Sequence, residues 1–177
     1  MTPVILSTAL SLLLCGTNIQ PEQFFYSSSV RPMIQRTGGE YSFLAGQRTY
    51  RTYSNARYGF SIAYPAGLLI PQGEPDNGDG QKFLSKDGSA SLLAFGSNRL
   101  DRSLRDEYQS AQENRNVTYK ILRADMFVVS GTENGKIFYQ KTLQRGDVFK
   151  TFIIEYDESD RATYDAVTSR VARSFTG

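Results

Sequence analysis

The sequence predicts an α+β domain: a mostly antiparallel sheet of about six or seven strands flanked by helices. Three observations carry that reading. Strand-like runs succeed one another from Tyr58 to Tyr156. The connections in the second half of the chain are Ala124-Asp125, Glu133-Asn134-Gly135 and Gln144 to Asp147, too short for anything but antiparallel neighbours. Only two stretches show helical spacing, one after Ser103 and one after Asp160.

Taken in order, Tyr58, Phe60, Ile62 and Tyr64 alternate with small residues and stop at Pro65, the pattern of a half-buried strand. Ala66 to Gly80 is rich in turn residues and reads as a long loop. Gln81 to Ser85 and Ser89 to Phe95 flank Lys86-Asp87-Gly88, which is hairpin chemistry. Ser103 opens a helix, with Asp106 placed to complete a capping box and Leu104, Tyr108 and Ala111 on one face. Asn114 to Asn116 ends it. Val117 to Arg123, Met126 to Thr132, Lys136 to Leu143 and Val148 to Tyr156 are four successive strands. The last is apolar on both faces through Phe149, Phe152, Ile153 and Ile154, so it belongs at the centre of the sheet. Asp157 to Asp160 would cap the closing helix, whose buried stripe is Tyr164, Val167, Val171 and Phe175.

The amino-terminal region reads as an address followed by a tether. Val4 to Leu14 is an apolar run too short for a bilayer, which needs about 20 residues, and it matches the core of a secretory signal peptide over residues 1–16. Cys15 follows Leu12-Leu13-Leu14, a partial lipobox in which Leu14 is too large, so ordinary cleavage is preferred to a lipid anchor at Cys15. Residues 17–52 read as a flexible linker broken by Pro, Gly and Ser, with Phe24, Phe25 and Tyr26 as an aromatic exception able to dock on the domain. The folded domain is expected over residues 53–177. No transmembrane helix is expected.

Composition excludes several function classes. The 177 residues contain no His, no Trp and one Cys. That removes Ser-His-Asp and Cys-His sets, His metal sites and an internal disulfide. Residues 1–53 hold four Arg and two Glu, which leaves 16 basic and 16 acidic residues in the remainder. A neutral, interspersed surface argues against nucleic-acid binding.

The run Tyr58 to Pro65, with Phe60, Ile62, Tyr64 and Pro65 in a Phe-x-Ile-x-Tyr-Pro pattern, resembles the first strand of the PsbP-like superfamily. The ending Val171-Ala172-Arg173-Ser174-Phe175 is similar to that fold's small-Ser-Phe terminus, with Arg173 in place of the small residue. Phe127 to Leu143 resembles its central hairpin, and the nearest likeness is to exported bacterial proteins of unassigned function. The resemblance covers residues 53–177. It implies a PsbP-like α/β/α sandwich and an accessory or partner-binding role rather than catalysis. Metal sites in photosystem members use histidine, which this chain lacks, so the resemblance implies no ligand here.

Glu74, Asp76, Asn77 and Asp79 form the densest cluster of oxygen ligands, in a Gly-rich loop. Their spacing fails the EF-hand pattern, so they are weak calcium candidates and better candidates for a partner-binding loop. Tyr108, Tyr119, Tyr139, Tyr156 and Tyr164 either line a groove between sheet and helix or are core residues with hydroxyls at the rim. Lys136, Lys141 and Lys150 stand among apolar residues, with Glu155 or Asp147 as candidate ion-pair partners. Ser130 and Ser174 lack a base partner, and Gly-x-Ser-x-Gly is absent.

The expectation is therefore an exported, non-catalytic domain with no cofactor. It would bind a protein partner or small ligand through Asp76, Asn77, Asp79, Tyr108 and Tyr139. The alternatives are a carboxylate-dependent hydrolase or transferase built on Asp76 and Asp79, and a calcium-stabilised structural module.

Overall fold

The structure, a computed structural model, describes residues 36–37, 40–41 and 48–177. The signal peptide expected over 1–16, Cys15 and most of the linker expected over 17–52 lie outside the described residues. Arg36–Thr37 (β1) pairs antiparallel with Glu40–Tyr41 (β2). The domain then runs β3 (Tyr50–Asn55), β4 (Phe60–Pro65), β5 (Ile70–Pro71), β6 (Gly80–Leu84), β7 (Ala90–Asn98), α1 (Leu104–Ser110), β8 (Asn116–Leu122), β9 (Met126–Glu133), β10 (Lys136–Arg145), β11 (Val148–Asp157) and α2 (Arg161–Ser174). Among the described residues no helix is long and apolar enough to cross a membrane.

One seven-stranded antiparallel sheet dominates, in the order β5-β6-β7-β11-β10-β9-β8. The strand that is apolar on both faces, β11, is the middle one, and covering it twice is what that pattern requires. On one face Phe152, Ile154, Tyr156, Ile137, Tyr139, Leu92 and Phe83 pack under α2 and the β3–β4 hairpin. Tyr164, Val167, Val171 and Phe175 supply the helical side of that core, and all four are buried as their spacing predicts. On the opposite face Phe127, Val129, Phe138 and Phe149 form a second, smaller core with Leu104 and Ala111. Each fully buried phenylalanine contributes about 1.5–3 kcal/mol of transfer free energy.

The second helical layer is short. Ser103 Oγ accepts the amide of Asp106, and the Asp106 carboxylate accepts the amide of Ser103, so the capping box read in the sequence is closed. But α1 spans seven residues, about 10 Å at 1.5 Å per residue, and cannot cover a seven-stranded sheet. Arg115, just beyond it, extends the cover. Its guanidinium lies 4.6 Å from the centre of the Phe138 ring, pairs with Glu133 at 2.8 Å and donates to the Gln140 side chain at 3.0 Å.

Three local expectations change. The ordered domain begins before residue 53, because β3 pairs with β4 from Tyr50↔Pro65 to Asn55↔Phe60. Asp157–Asp160 does not cap α2 by side-chain bonds: Glu158–Asp160 forms a 3₁₀ turn, and Asp157 is drawn to Lys136 at 2.6 Å. That pair also replaces the partners expected for the lysines. Lys141 donates to the Ala172 carbonyl at the end of α2 and Lys150 to the Gly59 carbonyl, each at 3.0 Å. Burial, then the nearby Arg145 charge, lowers both ammonium pKa values.

Candidate functional site

The loop between β5 and β6 is pinned by one residue that the sequence did not single out. Asn55, 3% exposed at the end of β3, donates from Nδ2 to the Gly78 carbonyl at 2.9 Å and to Tyr53 Oη at 3.0 Å. Its Oδ1 accepts the Tyr58 amide at 2.8 Å. A buried amide must satisfy these groups, so Asn55 ties the loop to the hairpin below it. Tyr53 extends the tie by donating to Glu74 Oε1 at 2.5 Å. Burial, then that hydrogen bond, pushes the Tyr53 phenol up to about 12. Arg57 donates to the Asn77 carbonyl. Gly78, at φ +61°, takes the left-handed turn the loop needs, and its amide donates to the Pro75 carbonyl at 2.8 Å.

The four loop candidates therefore share a loop but do not converge. Glu74 faces Tyr53. Asp79 accepts from Asn77 Nδ2 at 2.7 Å, and its carbonyl accepts the Gly96 amide at 2.8 Å. Asp76 is exposed. Among the described residues no group of three or more Asp, Glu, Cys or His side chains is arranged to hold a metal ion. Glu74, Asp76 and Asp79 are thus separate carboxylates along the loop.

The tyrosines divide between the two faces. Tyr139 is 9% exposed and stacks on Phe152 at 5.8 Å within the larger core, where burial pushes its phenol up to about 12. A ring so enclosed presents no surface to a partner, and this corrects its placement among the binding residues. Tyr156 and Tyr164 stack at 5.4 Å on the same side, and Tyr156 donates to Asp165 at 2.7 Å. Tyr108 lies on the other face, half-buried on α1, edge-on to Phe127 at 5.7 Å. The structure does not bring Tyr108 and Tyr139 together.

What it does bring together is the acidic loop and bare sheet. Register pairs Ile70 with Leu84, Leu84 with Ser91, Lys82 with Leu93, Gly80 with Phe95, and Leu93 with Ile153. Paired residues share a face, so Ile70, Leu84, Leu93, Phe95 and Ile153 form one apolar patch on the side of α1, beyond its reach. Ile70 is 43% exposed and Leu93 37%. Gln72 to Pro75 and Asp79 stand beside Lys82, Leu93 and Phe95 around an open depression of about 440 Å³. Its floor is apolar, and Glu74, Asp79 and Lys82 put charge at its rim. The patch was hidden in the sequence because alternation along Ser89 to Phe95 does not say which face of the strand is covered.

An antiparallel seven-stranded sheet, with a long helix and a hairpin on one face and a short helix on the other, is the PsbP-like α+β arrangement. The chain is similar to cyanobacterial PsbP (CyanoP) from Synechocystis sp. PCC 6803, whose solution structure aligns with a TM-score of 0.54 at 17% identity, covering 80% of this chain and 97% of that one. The likeness therefore carries the fold alone. No protein-family model and no curated protein sequence matches the chain.

Proposed function

We propose that this chain is an exported, non-catalytic binding domain that engages a protein partner across the depression between the β5–β6 loop and the bare faces of β6, β7 and β11. One observation carries the reading. An apolar floor with Glu74, Asp79 and Lys82 at its rim is held in place by Asn55 and Tyr53 instead of being left to a floppy loop. A preformed surface of that kind binds without first ordering itself. Export rests on the apolar run Val4 to Leu14.

The test is crosslinking of the native protein in its own cell fraction, beside Leu93→Glu and an Asp76→Ala/Asp79→Ala pair. All three positions are exposed or half-exposed, so melting should move by less than about 3 °C. A specific adduct should weaken at least about fivefold in Leu93→Glu, because a charge is set on the apolar floor. An adduct of undiminished yield in both variants refutes the site. Fractionation beside a Cys15→Ser variant reports export and anchoring independently.

A further inference from the structure

The bare face carries both halves of an ion pair that it does not form within one chain. We infer that the partner seated on it is a second copy of this chain, packed sheet to sheet about a two-fold axis that crosses β7 between Ser91 and Leu93. The inference rests on the reading of this face as a binding surface and names its occupant.

Register and charge support it. Lys82, Leu93 and Ile153 stand in one row across β6, β7 and β11, and Leu84, Ser91 and Glu155 stand in the next. Paired residues share a face, so Lys82 and Glu155 lie at opposite corners of the apolar patch. With strands about 4.8 Å apart and about 3.4 Å per residue, their Cα atoms are about 12 Å apart. Lys82 is exposed and Glu155 half-buried, and among the described residues neither has an ion pair or a side-chain hydrogen bond. Arg115, over the Phe138 that pairs with Glu155, is already engaged by Glu133. The line from Lys82 to Glu155 crosses β7 midway. A two-fold axis lying in the interface at that point, perpendicular to the line, sets Lys82 of each copy over Glu155 of the other and brings the two Leu93 side chains together. An isologous contact needs that reciprocity, whereas a foreign partner does not. Sheets packed face to face stand about 10 Å apart, which lets Leu84, Leu93, Phe95 and Ile153 of the two copies interdigitate. The helix α1 packs over β9, two strands beyond β11, so it flanks the second sheet instead of blocking it. Three rows on three strands cover roughly 300 Å² per copy, below the about 800 Å² of a standard interface, so the dimer is transient, with a Kd on the order of 100 μM.

Sedimentation velocity on the full chain, from about 5 to about 500 μM, tests this. The native chain should pass from monomer toward dimer across that range. Lys82→Glu and Glu155→Lys each oppose like charges at both contacts, so each should weaken the dimer at least about fivefold. An equimolar mixture of the two single variants should recover it, because each chain then meets its opposite charge at both contacts. A chain with both substitutions should dimerise like the native one. Neither position is buried, so melting should move by less than about 3 °C in every variant. A native chain that stays monomeric at about 500 μM, single variants that dimerise as well as the native chain, or a mixture no stronger than its components overturns the inference. A monomeric chain that still forms a Leu93-dependent adduct with a different protein overturns it as well and leaves the binding reading intact.

Discussion

Arg115 is where the short helical layer is completed by a single side chain, and replacing it measures what that cover contributes. In Arg115→Ala three interactions go at once. The ion pair with Glu133, whose partners are 17% and 27% exposed, contributes about 0.5–1 kcal/mol after solvent screening. The guanidinium over the Phe138 ring adds about 1 kcal/mol. Gln140, 8% exposed, loses the donor to its side-chain oxygen, at a cost of about 1 kcal/mol or more. The expected loss is about 2–3 kcal/mol, or roughly 8–12 °C in Tm for a domain of this size. Arg115→Lys keeps the charge but not the planar fork, so it should lose about half as much. Urea unfolding followed by far-ultraviolet circular dichroism suits a chain without tryptophan. A double-mutant cycle with Glu133→Ala should return a coupling that shrinks in high salt. A loss below about 0.5 kcal/mol for Arg115→Ala would mean that the side chain is solvated and that Phe138 is sealed by something else.

Leu92 and Leu93 are neighbours on β7 that point to opposite faces, 0% and 37% exposed. Urea midpoints should show Leu92→Ala losing about 3 kcal/mol and Leu93→Ala less than about 1 kcal/mol; equal losses would contradict the bare face. Ser103→Ala opens the capping box and should lower stability by about 1 kcal/mol, with hydrogen exchange rising in α1 before the sheet. If sheet amides exchange first, α1 is not the weaker unit. Asp87, bonded by the Ser85 hydroxyl and the Ser89 amide, has its carboxyl held down at about 2. A depressed carboxyl contributes stability that is complete above the unfolded value of about 4 and is lost as pH falls through about 2. Melting curves between those limits should therefore be flatter for Asp87→Asn than for the native chain, and parallel curves would refute the assignment. Gly131→Ala would set a Cβ 2.0 Å from the Asn116 carbonyl oxygen, so β8 should lose amide protection while β10 and β11 keep theirs; unchanged protection in β8 would show that the bulge yields freely.

The elements that were legible in the sequence are those whose burial is written at a clear period. β11 announced its central place through apolar residues on both faces, and α2 through Tyr164, Val167, Val171 and Phe175. α1 was given by its cap, since Ser103 and Asp106 act locally and need no tertiary context. β3 was not legible. Its sequence, Tyr50 to Asn55, is polar except for two tyrosines, and only pairing with β4 makes it a strand. The site was half legible. Glu74, Asp76, Asn77 and Asp79 were found from composition, but Asn55 looked like any turn residue, and its burial is a property of the assembled hairpin. Nor could periodicity distinguish the bare patch from core, because exposure of Leu93 and Phe95 depends on how far α1 extends. Tyr139 failed as a surface residue for the converse reason: its strand is flanked on both sides and covered by the larger core.

The pairing of β7 with β11 has a kinetic consequence. Asn98 meets Val148 and Ala90 meets Tyr156, so the two halves of the sheet join along a seam between segments far apart in the chain. The β8–β11 meander can assemble from local hairpins, whereas β5–β7 gains its inner neighbour only once β11 is in place. Closing that long loop costs entropy before any seam contact compensates for it, so formation of the seam should limit the folding rate. Destabilising substitutions at Leu92 or Ile154 should then divide between slower folding and faster unfolding according to how much of the seam exists at the barrier. A chain that has not yet delivered Tyr156 is left with an unfinished sheet.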